Sequence, residues 1–567
     1  MKLQISVPSL VSLPTECSRI VTPLRADVWE KHLQEFPDRE FVGYLINGIR
    51  NGFRIGCYAS RSLRSSSNNM LGADMHPRVV QDYLENELQA GRIVPVPPSW
   101  CVNVHLSRFG VIPKKRQPGK WRLIVDLSSP DEASVNDFID ASICSLQYAS
   151  VDDAADFIFR SGRGTLLAKL DIKSAYRNIP VHPGDRHLLG VQWQGTVFVD
   201  ACLPFGLRSA PKIFNATADA LEWIIARQGA SFVEFIIHYL DDFLLGGSPH
   251  TEACQKSLDL SLQVCQEVGF PIMREKVFGP TTVLDFLGIL IDTDSMELQL
   301  PREKLVHLKA LIQAWQGKKS CTKRQLLSLI GYLQHASTVV KPGRTFLRRM
   351  IDTSKRQVHL DAPMRLNAEF RSDIAWWDLF MDRWNGISII SSLCRLPIDQ
   401  HLTTDASGSW GCGAFCGSKW FSLSWESCPA IDSAHISVKE LLPIIISCAI
   451  WAESMRQKHI RCHCDNAAAV AMINKRTSSH PLSMHLLRCL FFICAKHGIT
   501  LSAAHLAGWK NKAADALSRD DISTFRNEVK DASPVPSTIA KELLEVLVSR
   551  TPNWLSADWS KAFGMTV

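Results

Sequence analysis

Two adjacent carboxylates sit where carboxylates are costly. Tyr239-Leu240-Asp241-Asp242 lies between the apolar runs Phe235-Ile236-Ile237 and Phe243-Leu244-Leu245, and charge among apolar residues is unfavourable unless something compensates it. The two runs predict strands and the acid pair predicts the turn between them, so both carboxylates protrude at a hairpin tip. Charges that close raise each other's pKa unless a cation keeps them ionised, and carboxylate oxygen is the donor that Mg²⁺ prefers. Asp is also an ordinary, solvated turn residue. The pair alone leaves both readings open.

A second acid narrows them. Leu166-Leu167-Ala168-Lys169-Leu170-Asp171-Ile172 is an apolar run ending in Asp171, continued by Lys173-Ser174-Ala175-Tyr176. Two strands each ending in Asp bring three carboxylates together, which is what a two-metal phosphoryl-transfer site needs. In this arrangement the chain resembles the reverse transcriptases of retroelements, whose palm carries Asp-x-x-x-x-Tyr/Phe on one strand and Tyr-x-Asp-Asp on a hairpin. Four further stretches follow the family order: Pro113-Lys114-Lys115, Gly119 to Asp126, Leu203-Pro204-Phe205-Gly206-Leu207-Arg208-Ser209-Ala210-Pro211, and Lys276 with Phe286-Leu287-Gly288-Ile289.

The resemblance implies a right-hand polymerase of fingers, palm and thumb. It makes Asp171, Asp241 and Asp242 catalytic ligands of two Mg²⁺ ions, with Mn²⁺ as a substitute. Lys115, Arg122, Tyr176, Phe205 and Lys276 become nucleotide contacts, Tyr176 packing on the sugar. Tyr239, Leu287 and Gly288 become contacts to primer and template. Ser174 stands where several retroviral enzymes carry a second Asp, and Phe205 where they carry Gln.

A second set of acids follows. Thr403-Thr404-Asp405-Ala406-Ser407-Gly408 leads into strand-like Gly413 to Cys416 and Lys419 to Leu423, a three-strand meander. Glu440 opens an apolar helix, Asp465 ends the strand Ile460 to Cys464, and Asp515 lies on a short helix after His505. Taken singly these are ordinary: Glu440 lies three residues after Ser437, the spacing of a capping box, and His505 reads as a loop histidine. Jointly, Asp405, Glu440, Asp465, His505 and Asp515 resemble the ribonuclease H domain of retroelements, and His505 to Arg519 resembles its closing signature. The resemblance implies two Mg²⁺ ions on the four acids and a proton-moving role for His505. The expected fold is therefore α+β and α/β multidomain: polymerase, connection, ribonuclease H-like domain.

At 567 residues the chain is long enough for several domains. The boundaries predicted from composition are an N-terminal extension over 1–75, fingers and palm over 76–295, and a thumb over 296–345. A Trp-rich connection over 346–398 with Trp376, Trp377 and Trp384 follows, then the ribonuclease H domain over 399–520 and a tail over 521–567. Asp74 to Ile93 reads as one opening helix. No run reaches the roughly 18 apolar residues of a membrane span, and the N-terminus lacks a sustained apolar stretch before Pro8, so no membrane and an intracellular, unsecreted protein of cytoplasm or nucleus are expected. Seventeen cysteines without a Cys-x-x-Cys pair fit reduced thiols. Cys412, Cys416, Cys462 and Cys464 read as buried thiols on strands.

Charge is concentrated. Residues 301–360 hold thirteen Lys and Arg against two acids, more than the whole chain's +7, so the remainder is net negative. Sequence-independent grip on phosphates needs such a stretch, and Lys341, Arg344, Arg348 and Arg349 are its candidates for a primer-template track. A solvated helix face is the other reading. Thr322 predicts a cap for a helix with Leu326, Leu327, Leu329, Ile330 and Leu333 on its inner side.

The subtype is narrowed by Thr22-Pro23-Leu24, Trp29, Gly48 to Gly56, Val111 to Lys115 and Ser134-Val135-Asn136-Asp137. These resemble the DIRS-like elements, which integrate with a tyrosine recombinase, and gypsy-type elements are the near neighbour. No Asp-Ser/Thr-Gly protease motif and no His/Cys zinc pattern occurs. An excised piece of a gypsy-type polyprotein would read the same way. The implied activities are RNA-directed DNA synthesis and hydrolysis of RNA in a hybrid. The implied partners are RNA template, DNA primer, RNA–DNA hybrid and deoxynucleoside triphosphates, with a recombinase of the same element as a further one. The competing reading is a domesticated, catalytically weak nucleic-acid-binding protein.

Overall fold

Strand Leu166–Asp171 is apolar along nearly its whole length because both its faces are covered. It lies inside a four-stranded antiparallel sheet ordered Phe235–Tyr239, Asp242–Gly247, Leu166–Asp171, Phe278–Thr281. The computed structural model that shows this describes residues 14–58, 68–113, 119–384, 387–389 and 398–548. The chain divides into two units, Met1–Phe286 with Thr293–Ser295, and Leu287–Asp292 with Met296–Val567.

In the first unit, helices Val151–Ser161, Ala210–Gln228 and Ala253–Val268 pack on that sheet. Two glycines allow the approach: a Cβ on Gly246 would strike the Phe157 ring, and one on Gly247 the backbone of Cys254. Ser150 and Asp153 form a capping box that starts the first of these helices. A second, five-stranded sheet is ordered Ile93–Pro95, Thr196–Asp200, Gly190–Trp193, Leu106–Pro113, Trp121–Asp126. Beside it, buried Arg177 pairs with Glu87 at 2.7 Å and Asp200 at 2.6 Å, while Arg92 pairs with Glu87 at 2.9 Å.

The N-terminal segment is no appendage. Helices Ala26–His32 and Arg39–Asn51 belong to the core that also holds the acid-bearing four-stranded sheet. Trp29 is fully buried, its Nε1 donates to the Val268 carbonyl at 3.0 Å, and its ring meets Phe270 edge-on at 5.7 Å. Leu33, Leu45, Ile49 and Phe53 share that core. The described helices of the expected N-terminal extension over 1–75 thus pack into the first unit's core, since amphipathic helices need a partner face. The single helix expected over Asp74–Ile93 is corrected. His76 precedes a proline and takes φ −129°, ψ 56°, so the chain breaks into Leu71–Met75 and Pro77–Gln89, and Ile93 starts a strand.

In the second unit, helix Lys323–Ala336 begins at the Thr322–Gln325 capping box. Leu326, Leu329, Ile330 and Leu333 are buried, but Leu327 is 42% exposed. It lies one residue past Leu326, about 100° around the helix from that stripe. Helix Ala368–Trp384 buries Trp376 and Trp377 completely, and Trp376 stacks on Phe346 at 3.8 Å. Residues 341–384 therefore pack as one piece, across the expected thumb–connection boundary at 345. The side chain of Trp384 and the expected tail beyond residue 548 lie outside the described residues.

The same unit holds a five-stranded sheet ordered Lys419–Ser424, Gly411–Cys416, Gln400–Ala406, His459–Cys464, Thr500–His505. Its first three strands are antiparallel and its last two join in parallel. Parallel pairing needs crossovers, supplied by helices Leu441–Ile450, Ala467–Lys475 and Pro481–His497. The first is buried nearly all round, as its uninterrupted apolar sequence requires. Cys412, Cys462 and Cys464 are buried free thiols, and Cys416 is a half-buried one. No described helix is long and apolar enough to cross a membrane.

If the N-terminal helices are core, truncating their anchor must cost core-like energy. Trp29→Ala is expected to lose about 3–5 kcal/mol of stability in the first unit. Urea unfolding followed by proteolytic protection of residues 14–286 checks this, and a loss under about 1 kcal/mol, the size of a surface change, would contradict it.

Candidate active sites

The first site is assembled by strand register. Asp171, the last residue of its strand, is the direct cross-strand partner of Asp242. Asp242 also pairs with Tyr239, so it opens a strand, and the turn proper is Leu240-Asp241. The expected acid-pair turn is thereby shifted by one residue. Leu240 takes φ +53°, a left-handed conformation unusual for a leucine, and the Asp241 carbonyl accepts from the Ile172 amide at 3.1 Å. The hairpin tip is thus tied to the end of the neighbouring strand, and three carboxylates converge.

Their electrostatics follow from that convergence. Burial, then Asp241 and Asp171, push the Asp242 carboxyl up to about 6. Burial also raises Asp241, with Asp171 adding to it. One cation answers them: Lys276 Nζ lies 2.6 Å from Asp171 Oδ2, and that hydrogen bond raises the lysine's own pKa. Around the acids stand aromatic rings. Tyr176 packs on Phe205 at 5.2 Å and Phe214 at 5.6 Å, and burial followed by Asp241 pushes its hydroxyl up to about 12. Tyr148 stacks on Tyr239 at 4.8 Å.

Of the other expected contacts in this unit, Arg122 is exposed on strand Trp121–Asp126 and Phe205 is 54% exposed. Lys115 lies outside the described residues. In the second unit, Leu287 and Gly288 form a turn with φ +51° and +75°. His335 Nε2 lies 3.2 Å from the Leu287 carbonyl, and Lys304 Nζ donates to the Gly288 carbonyl at 2.8 Å.

The second site lies at one end of the parallel strands. The ligand atoms of Glu440, Cys464 and Asp465 lie within 4.8 Å of one another. Asp405, on strand Gln400–Ala406, accepts from Ser518 Oγ at 2.6 Å and from Asn511 Nδ2 at 3.1 Å. Burial lifts Asp405 to about 6 despite those bonds, with Asp465 and Asp515 adding to it. Burial, Asp405 and Asp465 lift Glu440 to about 9. Glu440 makes no capping bond; His435 accepts from the Ser437 amide instead. Asp515 is joined to Arg519 at 2.8 Å. His505 is exposed, its Nε2 3.0 Å from the Asp465 carbonyl. Both sites offer hard oxygen donors, the set that suits Mg²⁺ or Mn²⁺, and in both the acids repel one another until a cation enters.

The basic stretch behaves differently. Arg344 is exposed, but Arg348 pairs with Asp352 at 3.0 Å. Arg349 donates to the Glu369 carbonyl and pairs with buried Asp373 at 3.3 Å, where Arg488 joins at 3.4 Å. The expected phosphate track is therefore corrected for Arg348 and Arg349: their charge is already compensated within the fold. Residue counting missed the Arg349 pairing because Glu369, Asp373 and Arg488 lie outside the counted window, and for Arg348 it counted Asp352 without placing it one helical turn away.

Residues 112–291 match the family model described as reverse transcriptase (RNA-dependent DNA polymerase). That segment is a reverse transcriptase domain. The chain is 24% identical over 445 residues to Polyprotein P3 of Commelina yellow mottle virus, which spans 76% of this chain and 21% of that polyprotein. It is 23% identical over 448 residues to the Transposon Tf2-3 polyprotein of Schizosaccharomyces pombe, spanning 74% of this chain and 30% of the relative. The chain thus covers less than a third of the curated relatives it matches. Among solved structures, the foamy viral protease-reverse transcriptase dRH in complex with double-stranded DNA aligns over 88% of this chain and 83% of its own, at 14% identity and TM-score 0.47. The foamy viral protease-reverse transcriptase in complex with RNA/DNA hybrid aligns over 88% and 64%, at 14% identity and TM-score 0.45.

Sequence reading of the reverse transcriptase domain and of the second site missed Tyr148, Asn511, Ser518 and Cys464. Asn511 stands directly before a helical run but makes no capping bond with its side chain, which turns to Thr404 and Asp405 instead, so its position gave no local signal of that role. Because Asn511 and Ser518 orient Asp405, Asn511→Ala or Ser518→Ala is expected to weaken divalent-cation affinity at this site about 10- to 100-fold, the usual effect of losing a ligand's supporting bond. Mn²⁺ titration followed by electron paramagnetic resonance, with Asp241→Asn silencing the first site, measures it; unchanged affinity would contradict the orienting role.

Proposed function

We propose that the chain is an RNA-directed DNA polymerase with a ribonuclease H activity, copying retroelement RNA into DNA and degrading the RNA of the hybrid. The observation that carries the polymerase half is the register pairing of Asp171 with Asp242, with Asp241 beside them on the tied hairpin. The second half rests on Asp405, Glu440, Asp465 and Asp515 at one end of a mixed sheet, with His505 at its edge. Asp171, Asp241 and Asp242 would hold two Mg²⁺ ions, or Mn²⁺ in their place, and the four acids of the second site another two. Such ions activate the attacking oxygen and steady the leaving one.

The chain's own groups do the rest. Burial and mutual repulsion keep the carboxylates primed for a cation. Lys276 neutralises part of the first cluster and, half-exposed, stands within reach of an incoming triphosphate. Tyr176 presents a rigid ring backed by Phe205 and Phe214, a wall suited to excluding a 2′-hydroxyl, the atom that distinguishes RNA precursors. Tyr239, with Tyr148 behind it, offers a face for primer or template. Arg122 and Lys115 serve the triphosphate, Leu287 and Gly288 the primer, and Lys341 and Arg344 the hybrid's phosphates. His505 moves a proton in RNA cleavage. The element is assigned to the DIRS-like group on the segments around Trp29, Gly48–Gly56 and Val111–Lys115, with a tyrosine recombinase of the same element as partner and an intracellular setting.

Three outcomes test this reading. Asp171→Asn or Asp241→Asn removes ligand charge but keeps shape, so primer extension falls by roughly 10³-fold or more, the scale of several kcal/mol of lost charge stabilisation, while hybrid RNA is still cut. Asp465→Asn gives the reverse pattern on the same substrates; loss of both activities from either change would reject two separate centres. Tyr176→Val raises the ratio of ribonucleotide to deoxyribonucleotide incorporation. A core-only tyrosine would lower stability and leave that ratio alone.

A further inference from the structure

Trp509 is 71% exposed, while no other aromatic side chain among the described residues exceeds the 54% of Phe205. An indole is the largest apolar side chain and is seldom left bare without a partner to cover it. This one is also rigidly mounted. It sits in a one-turn helix, Gly508–Lys510, closed by Lys510 N to Ala507 O at 2.7 Å and Asn511 N to Gly508 O at 2.9 Å. Directly after it, buried Asn511 bonds the Thr404 carbonyl and the Asp405 carboxylate, both at 3.1 Å. Directly before it, a Cβ on Gly508 would stand 3.4 Å from Asp465 Oδ2. The turn is therefore pinned against two of the acids at residues on either side of Trp509, whose ring is left exposed. Lys510 holds its ammonium 4.8 Å from that ring, and Lys512 is exposed.

An exposed indole with one ammonium over its ring, in a turn fixed beside clustered carboxylates, matches a sugar-phosphate strand: the free face covers sugar or base and the lysine meets a phosphate. An acidic partner protein offers no such alternation, and a membrane surface presents no sugar or base faces between its phosphates for the ring to cover. We propose that Trp509 and Lys510 form the contact that seats the RNA strand of an RNA–DNA hybrid at the second site, with Trp509 against the sugars and Lys510 on a phosphate next to the bond that is cut. This rests on the ribonuclease reading, because the strand lying at the acids is then the one cleaved. Trp509 is a positioning residue; it touches none of the acids' bonds.

The test uses the full chain on a long hybrid with a recessed primer end, Ca²⁺ replacing Mg²⁺, and hydroxyl-radical footprinting of the RNA riboses. Wild type should protect riboses both near the primer end and at a separate patch that includes the cleavage position. Trp509→Ala should lose the second patch alone, Trp509→Phe should keep it, and Lys510→Ala should lower the salt dependence of that patch by about one unit of slope. In Mg²⁺, Trp509→Ala should raise the KM for RNA cleavage about tenfold, the effect of one lost stacking contact, with kcat changed less than threefold. An unchanged patch and KM in Trp509→Ala overturn the proposal while leaving the ribonuclease reading intact. A second patch that wild type shows and Trp509→Ala loses, in a protein that cuts no RNA, upholds the contact and removes that reading instead.

Discussion

Carboxylates brought within a few ångströms of one another in half-buried surroundings repel, and a fold must spend stability to hold them there. In the first unit the constraint is the register that sets Asp171 opposite Asp242. Nothing about those two side chains favours that register; the apolar residues behind them do. A slip of one residue would turn Ala168, Leu170, Phe243 and Leu245 out of the core they share with three helices. The left-handed Leu240 and the bond from Ile172 to Asp241 then follow, since the hairpin must turn within two residues at the place where the acids meet.

The same logic separates structural charge from chemical charge. Elsewhere, several buried ions come balanced by opposite charge, although buried Arg186 bonds the Val181 and Cys17 carbonyls instead. Arg177 and Arg92 face Glu87 and Asp200; Asp373 faces Arg349 and Arg488, with Glu369 alongside. At the two acid clusters they are not. Three carboxylates share Lys276 in one, and in the other Arg519 reaches only Asp515. Burying an unbalanced cluster is a net cost to folding, so such clusters persist where charge from outside the chain completes them. The raised pKa values of Asp242, Asp405 and Glu440 come first from burial, with the neighbouring acids adding to it.

The sequence made these acids legible because each sits where a period changes: at a strand's end for Asp171 and Asp465, at a helix start for Glu440, within a strand of alternating small residues for Asp405. What it hid were relations across distance. Asn511 and Ser518 lie more than a hundred positions from Asp405, which they orient, and Tyr148 lies ninety-one from Tyr239. The N-terminal helices looked detached because their partner face, near Val268 and Phe270, comes more than two hundred residues later. Leu327 and the 74–93 helix were errors of a local kind. In one the apolar stripe was drawn too wide, and in the other Pro77 was read through.

Charge counting failed most instructively. Thirteen cations against two acids between residues 301 and 360 suggested a surface for phosphates, yet Arg349 points inward to Asp373 and serves packing between helix Ala368–Trp384 and helix Pro481–His497. A linear window sums charges that the fold distributes in three dimensions. Arg is also the cation best suited to buried, forked bonding, so an Arg-rich run near buried acids is ambiguous in a way a Lys-rich run is not. The exposed Trp509 shows the opposite case: one residue, unremarked among sixteen tryptophans, whose significance comes from where Asn511 and Gly508 pin it. Position relative to an unbalanced cluster, more than residue type or local abundance, is what marks a side chain in this fold as available to a substrate.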